Sequence, residues 1–253
     1  MFLAALLLLA AALLTFDLLH RTRAHTFRTD VGAFRRIPLD DGSTIELNTN
    51  TVLRIVQTKQ RRHVTLLQGE AHFDVAADVS RPFVVHAGHT VVRVVGTAFG
   101  VRMYDATRAA VLVTKGRVAV STAVPDHGLF RPADISDANE SIVSAGERAM
   151  YNAGSITIYT LEPQEIAARQ AWRHGSILFA DRPLSEIVAE LNRYNEKQLK
   201  IADPSITDIR LSGQLALRGT GTFLVVLAKS HGIVAREIEG RTGVIELRRA
   251  DEP

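Results

Sequence analysis

The residue patterns most able to do chemistry in this sequence are one histidine pair and one glycine pair. His86 and His89 have H-x-x-H spacing, which can bring two imidazoles to one metal ion. They lie in a strand-rich segment without neighbouring carboxylates, so a turn with solvent-facing imidazoles is favoured over a metal site. Residues 218–221 contain a lone G-x-G, for which a loop leading into a helix is a better explanation than phosphate binding.

Signatures of known enzyme mechanisms are absent from the sequence. It contains neither a G-x-S-x-G nor an H-E-x-x-H motif. It contains no cysteine, which excludes disulfides, thiolate metal sites and a cysteine nucleophile. We therefore predict that the protein is not an enzyme, and we assign no catalytic, metal-binding or cofactor-binding residue.

The composition is that of an ordinary folded protein. The 253 residues suffice for one large or two small domains. Hydrophobic residues make up 46% and charged residues 23%, which argues against bulk disorder. The net charge of +3, from 30 basic and 27 acidic residues, is too even for a dedicated nucleic-acid-binding protein.

The N-terminus is an apolar run followed by a basic stretch. Residues 1–16 carry no charge, and the run continues to residue 19 although Asp17 interrupts it. A membrane anchor is favoured over a cleaved signal peptide, which normally has positive charges before its apolar segment, and over a buried helix. We predict a transmembrane helix over 1–19 and a basic juxtamembrane linker over 20–36 that contacts lipid headgroups. We also expect Met1 to be a truncated or internal start.

Residues 37–160 predict an all-β domain, either sandwich-like or solenoid-like. β-Branched and polar residues alternate with a period of two, which indicates half-buried strands. Glycines separate the strands, as tight turns require. Residues 125–141 are expected to form a surface loop. Strands are predicted over 44–47, 52–56, 64–67, 72–75, 91–95, 111–113 and 118–120.

The remainder of the chain changes to a mixed pattern. Residues 161–175 form a polar connector, and residues 176–250 are predicted to form a small α+β domain of βαββαββ order, with both helices on one face of a sheet. The first helix has an apolar stripe over 184–194, with Asp181 as its cap and Pro183 in its first turn. A second helix over 222–229 ends at Gly232 and is expected to bury Phe223, Val226 and Leu227.

A sheet edge is the expected contact for a protein partner. An unpaired strand edge can accept another strand through backbone hydrogen bonds, and the strand over 209–217 is the candidate. The apolar stripe over 184–194 is assigned to the domain's own core instead, because so short a helix needs tertiary burial to persist. The candidate partner-binding residues are Ile209, Leu211, Leu215 and Leu217.

Several blocks of this sequence, in the right order, resemble the FecR-type transmembrane sigma-factor regulators of bacterial cell-surface signalling. The blocks are 39–48, 62–75, 81–85, 95–101, 172–175, 179–184 and 191–194, and they cover much of the chain after the apolar run. The positions that we single out in them as structural motif residues are Asp41, Gly42, Gly69, Glu70, Gly96, Thr97, Trp172, Asp181, Pro183 and Tyr194.

The resemblance implies a topology and a function. It implies one inner-membrane helix and a periplasmic region whose last domain is similar to the short N-terminal (STN) domain of secretins and TonB-dependent receptors. It implies that the protein senses the signalling domain of a TonB-dependent outer-membrane receptor and regulates an extracytoplasmic-function (ECF) sigma factor, for iron–siderophore uptake. The family's cytoplasmic sigma-binding domain is not in this sequence, so the sigma factor is expected to be contacted through a missing or separate domain.

Two other functions stay open at this point. One is a structural periplasmic adaptor or envelope-assembly protein that uses the same small domain. The other is a secreted hydrolase of carbohydrate or peptide, which would need paired carboxylates or a Ser–His pair in a pocket.

Overall fold

A computed structural model describes residues 24–58, 61–122, 140–237 and 243–250. The transmembrane helix predicted over 1–19 lies outside these residues, as does most of the loop predicted over 125–141. Within the described ranges, no helix combines the length and the apolar character that a membrane crossing needs.

Residues 24–160 form two seven-stranded sheets. The strands are β1 (Ala24–Arg28), β2 (Arg35–Pro38), β3 (Thr44–Leu47), β4 (Val52–Gln57), β5 (Arg62–Gln68), β6 (Glu70–Asp74), β7 (Phe83–Ala87), β8 (Thr90–Val94), β9 (Ala98–Asp105), β10 (Arg108–Lys115), β11 (Arg117–Thr122), β12 (Ser141–Ser144), β13 (Glu147–Asn152) and β14 (Ser155–Thr160). The first sheet has the order β1-β4-β5-β7-β8-β11-β12 and the second β14-β13-β10-β9-β6-β3-β2. Among these described strands, β5 and β7 pair in parallel, and the other neighbours are antiparallel.

The two sheets face each other across an apolar core. Phe73 and Phe99 of the second sheet stack with ring centroids 5.0 Å apart. The edge of Phe83, from the first sheet, meets Phe73 at 6.1 Å. Alternate residues of several strands, such as Val64 and Leu66 of β5, are buried in this core. The all-β prediction is therefore confirmed, in its sandwich-like form, and each of the seven predicted strands overlaps an observed one.

The prediction of a linker over 20–36 is wrong for residues 24–36, which are the part of this segment that the structure describes. β1 pairs with β4 along its whole length, and β2 pairs with β3, so both are edge strands of the sandwich. Four of the five residues of β1 are exposed, and Phe27 alone packs against the core. Because the strand has so few inward positions, its basic residues concealed the alternation that would have revealed it.

The C-terminal unit has the predicted βαββαββ order, preceded by one more helix. Its strands form two small sheets, β15 with β17, and β16-β19-β18, so the prediction of one sheet is wrong. The elements are α1 (Pro163–Gln170), a 3₁₀ turn (Ala171–His174), β15 (Ser176–Pro183), α2 (Leu184–Asn192), β16 (Gln198–Ile201), a second 3₁₀ turn (Pro204–Ile206), β17 (Arg210–Ala216), α3 (Thr220–His231), β18 (Ile233–Glu237) and β19 (Val244–Arg249).

The start of α2 differs from the prediction, although its buried stripe of Leu184, Ile187, Val188 and Leu191 agrees with it. Pro183 is itself the residue before the helix, and no side chain caps the first turn. Asp181 lies in β15 with φ +48°, beside a register shift, and pairs with Arg210 at 2.9 Å. The strand therefore runs past the position where Asp181 could act as a cap.

Helix α3 buries a slightly different face from the one predicted. Phe223 and Leu227 are buried as expected, but Val226 is 46% exposed. Leu224 packs against the core instead, so the buried stripe turns toward the other side of Phe223. The helix ends as predicted, with Gly232 in the left-handed conformation at φ +61°.

Candidate functional site

The sandwich and the C-terminal unit meet along a polar contact that we call the seam. It joins the second sheet and the β1–β2 loop, on one side, to the 3₁₀ turn at 171–174 and α2 on the other. The side chains that define the seam are Phe34, Asn48, Glu70, Arg102, Trp172, Glu190, Arg193 and Tyr194.

Asn48 lies at the centre of the seam and has no exposed surface. Its side-chain amide donates to Glu70 Oε2 at 2.9 Å and to Tyr194 Oη at 3.0 Å. Its carbonyl oxygen accepts from Thr49 N at 2.7 Å, which fixes the orientation of the amide. Burial raises the pKa of Tyr194, so the phenol stays protonated at neutral pH. One asparagine thus ties the sandwich to Tyr194, two residues after the end of α2.

Arg193 connects carboxylates from both sides of the seam. It donates to Glu70 Oε2 at 2.7 Å and to Glu190 Oε1 at 2.5 Å, and Arg102 pairs with Glu190 at 3.0 Å. Burial alone would raise the pKa of Glu190, but Arg102 and Arg193 outweigh burial and lower it. Burial alone would lower the pKa of Arg193, but Glu70 and Glu190 outweigh burial and raise it. Glu190 and Arg193 are therefore both charged at neutral pH.

Aromatic rings extend the seam beyond this network. Phe34 is stacked on both Trp172 and Tyr194, with ring centroids 6.3 and 6.2 Å away. Phe34 comes from the loop between β1 and β2, whereas both partners belong to the C-terminal unit. Such pairs favour offset stacking and each contribute about 0.5–1.5 kcal/mol beyond the burial of their area.

Backbone contacts hold the same loop. Arg218 donates to the carbonyl of Gly32 at 2.9 Å. Thr49 accepts from Gly32 N at 2.7 Å and donates to the carbonyl of Arg193 at 3.0 Å. Gly32 has φ +75°, and a Cβ there would lie 2.8 Å from the carbonyl oxygen of Tyr194. Only glycine permits this approach, so the loop is closely clamped by the C-terminal unit.

A second ion pair crosses the contact near a buried histidine. Arg173 donates to Glu46 Oε2 at 2.5 Å. His72 is opposite Glu46 in the β3–β6 register and is 4% exposed. Burial, with a smaller contribution from Arg173, lowers the pKa of His72 to about 4, although Glu46 and Asp74 oppose the shift. His72 is therefore neutral at pH 7.

A cleft of about 440 Å³ opens beside the seam, between the second sheet and the C-terminal unit. Glu70, His72, Arg193 and Tyr194 line it, together with arginines from both sides. Among the described residues, no group of three or more histidine, aspartate or glutamate side chains could hold a metal ion. The geometry is suited to holding two bodies in register and to receiving a small ligand.

Three of the predicted motif residues are brought together at the seam, namely Glu70, Trp172 and Tyr194. Sequence reasoning assigned them no role, and it missed Asn48, Arg193 and Phe34. Asn48 ends one of the family-like blocks, and Arg193 occupies the second-last position of another. Their place in these blocks is the signal that could have identified them.

Asp41 and Gly42 lie at the turn between β2 and β3, within the sandwich. Asp41 accepts from Ser43 N at 3.0 Å and from Arg62 Nη1 at 3.0 Å. Burial alone would raise the pKa of Asp41, but the bonds to Ser43 and Arg62 outweigh burial and lower it. This part of the motif stabilises the sandwich and does not touch the seam.

Three further motif residues lie at turns of the sandwich: Gly69 between β5 and β6, and Gly96 and Thr97 between β8 and β9. A Cβ on Gly69, whose φ is +88°, would lie 2.3 Å from Thr51 Oγ1, and Thr51 Oγ1 accepts from the backbone N–H of Glu70 at 3.1 Å. The tight turn therefore sets the position of Glu70 at the seam. Gly96 packs against Ala77, and the Thr97 carbonyl accepts from Val75 N at 2.9 Å.

The side chains proposed for partner binding face inward. Leu217 is buried, and Ile209, Leu211 and Leu215 pack against the core of the C-terminal unit. Because every second residue of a strand points to the same side, the backbone of this strand, and not these side chains, remains the candidate contact for a partner. Within the described residues β17 pairs only with β15, so its other edge still offers backbone groups.

The two patterns that first suggested chemistry have structural positions. His86 lies in β7 and stacks on His63 with ring centroids 6.4 Å apart, while His89 in the following turn stacks on Tyr151 at 6.2 Å. Gly219 is the residue that precedes α3, which agrees with the interpretation of a loop leading into a helix.

Comparison with known proteins identifies one domain and the fold. Residues 25–119 match the family model described as FecR protein. Two crystal structures of a candidate anti-sigma factor from Parabacteroides distasonis have a TM-score of 0.68 at 24% sequence identity, and the match covers 90% of this chain and 100% of theirs. No curated protein matches the sequence. The resemblance to FecR-type regulators is therefore confirmed.

Proposed function

We propose that this chain, whose residues 25–119 match the FecR family, regulates an ECF sigma factor by transmitting a signal across the inner membrane. In this proposal the C-terminal unit, as an STN-like domain in the periplasm, contacts the signalling domain of a TonB-dependent outer-membrane receptor. The seam passes the contact to the sandwich, and the apolar run over 1–19 passes it across the membrane. Iron–siderophore uptake is the process that such a system would serve.

The clamp on the β1–β2 loop carries this proposal. Arg218 and the ring of Tyr194 hold Gly32 and Phe34, and these follow β1 closely in the sequence. β1 in turn begins just after the apolar run and its basic flank. A partner that shifts the C-terminal unit therefore acts on the segment nearest the predicted membrane anchor. A shift of this kind requires differential binding of a few kcal/mol between two states.

The open edge of β17 is the proposed receptor contact. Its backbone can add a strand from the partner while Leu211 and Leu215 remain in the core. This is the kind of contact expected from the sequence, in which backbone hydrogen bonds at the strand edge recognise the partner.

The cleft does not favour the alternative of a hydrolase. Of its three carboxylates, Glu70 and Glu190 are bound to Arg193 and Glu186 is bound to Arg182, and the pKa of Glu190 is below its ordinary value. A general acid needs a raised pKa, as a carboxylic acid in an apolar pocket has. These residues are therefore better explained as structural ion pairs than as a catalytic pair.

Transcription from promoters of the ECF sigma factor that this chain is proposed to regulate tests the proposal. The Arg193→Ala variant should alter receptor-dependent transcription, because it breaks the seam. Arg54→Gln, which replaces an exposed arginine of β4, is the matched control and should behave as the wild type. Binding of the purified full chain to receptor signalling domains supplies the second readout. If no receptor domain binds and R193A signals normally, the proposal fails.

A further inference from the structure

Among the described residues, two arginines at one wall of the cleft have no carboxylate within hydrogen-bond distance. Arg102, Arg173 and Arg193 line the cleft, and each is bound to a glutamate of the seam or of β3. Arg148 of β13 and Arg169 of α1 line it as well. Arg148 Nη2 donates to a neutral group, the phenol of Tyr104, at 2.9 Å.

Arg169 is the least satisfied of these side chains. Its Nε is buried and has no hydrogen-bond partner among the described residues. The carboxylate of Glu165, one helical turn earlier, lies 3.9 Å from Arg169 Nη2. The Glu165 side chain is half exposed. A buried guanidinium nitrogen without an acceptor costs free energy, which an incoming anion would recover.

Positive charge accumulates at this wall. Burial lowers the pKa of Arg169, and Arg148 and Arg182 lower it further, against the opposing effects of Tyr104 and Glu165. Arg182 also lines the cleft and is bound to Glu186, an exposed residue of α2. Like charges that face one cavity repel each other, and a bound anion relieves this repulsion.

We propose that this cleft is a binding site for a small free anion that carries carboxylate or phosphate groups, held by Arg148 and Arg169 with Arg182 beside them. The volume of about 440 Å³ falls in the range of about 300–1,000 Å³ that is typical of small-molecule sites. The planar guanidinium groups match the oxygen pairs of carboxylate and phosphate. Because the walls belong to the sandwich and to the C-terminal unit, the anion also bridges the two.

Thermal unfolding and calorimetry of the purified full chain test the proposal, with inorganic phosphate and succinate as the probes. Either probe should raise the unfolding temperature at constant ionic strength, whereas an equal ionic strength of sodium chloride should not. Arg169→Gln should weaken binding about tenfold or more, because a charge-assisted bond is lost. Arg54→Gln, whose side chain lies outside the cleft, should bind as the wild type.

The unliganded stability of the variant distinguishes an anion site from a structural arginine. If Arg169 serves the anion, R169Q without anion should unfold at the same or a higher temperature, because repulsion from Arg148 and Arg182 is relieved. A lower unfolding temperature for R169Q, together with no response of the wild type to either probe, overturns the proposal. Equal stabilisation by chloride overturns it as well. None of these measurements needs a receptor or a sigma factor, so the result is independent of the proposed signalling role.

Discussion

Two arginines in this molecule have similar chemistry but serve different parts of it. Arg62 is 1% exposed, and every acceptor that it binds lies within the sandwich. It donates to the Asp41 carboxylate and to the carbonyls of Ala76, Asp78 and Arg81. Arg193, in contrast, donates to Glu70 across the seam and to Glu190 of α2, the helix that ends just before Arg193.

The difference shows how the same ion-pair chemistry can either fix a fold or join two units. Arg62 closes loops around a sandwich that already has a large apolar core, so its loss would harm a single cooperative body. The seam has few apolar contacts, and its charges can be rehydrated when the two sides separate. Polar contacts of this kind are typical of interfaces between domains that move relative to each other.

The largest loss of stability should come from disrupting Arg62 and its acceptors in the sandwich, which we call the Arg62 cluster. Arg62→Leu removes the cation of a buried pair and leaves Asp41 without its guanidinium partner, so we expect a loss of about 3–5 kcal/mol in the free energy of unfolding. Urea unfolding followed by circular dichroism measures it. R54Q should change stability by less than about 0.5 kcal/mol. If R62L loses no more stability than R54Q, the distinction between Arg62 and Arg193 fails.

The stability of the contact around His72, beside the seam, should depend on pH in a range where the stability of the Arg62 cluster does not. His72 has a pKa of about 4 when folded against an ordinary value of 6.5, so the unfolded chain binds more protons between these values. The stability that neutral His72 contributes is present above pH 6.5 and is lost as the pH falls toward 4, at no more than about 1.4 kcal/mol per pH unit. The lowered pKa of Asp41, from an ordinary 3.8, acts only at lower pH.

His72→Gln isolates this term. Urea unfolding of H72Q and of the wild type, compared at several pH values between 4 and 6.5, should show a shallower pH dependence for the variant. Parallel curves would mean that His72 titrates normally and that the seam near Glu46 and Arg173 is not pH-sensitive.

A double-mutant cycle between Glu70 and Arg193 measures how strongly the seam couples the units. The pair is 2.7 Å apart and mostly buried on both sides, so we expect a coupling energy of about 1–3 kcal/mol. The variants E70Q, R193M and the double mutant should be compared by urea unfolding. R193M should also increase hydrogen exchange at the β1–β2 loop, while the interior strands of the sandwich stay protected. Additive effects of the two changes would argue that the seam is two independent surfaces.

Local patterns predicted much of the fold but little of the seam. Alternation identified β3, β4 and β5, and the stripe of Leu184, Ile187 and Leu191 identified α2, because burial of a regular element leaves a period in the sequence. The bonds from Asn48 to Tyr194 and from Arg193 to Glu70 join residues 146 and 123 positions apart. Such contacts leave no period, and they become visible only when the chain is folded.

The smallest expected effect concerns Phe34, which adds apolar contact to the otherwise polar seam. Its ring is 43% exposed, so Phe34→Ala should cost only about 1 kcal/mol in the free energy of unfolding, from two stacked contacts. Phe34→Ala should favour separation of the sandwich from the C-terminal unit more than it lowers the free energy of global unfolding, because Trp172 and Tyr194 lose their shared partner. Phe34→Leu, which keeps most of the apolar area but not the ring, is the matched control. Increased hydrogen exchange at the 3₁₀ turn of residues 171–174 in both F34A and F34L would show that ring stacking holds the loop, whereas an increase in F34A alone would show that apolar area holds it. Exchange equal to that of the wild type in both variants would assign the contact to the backbone clamp at Gly32 alone.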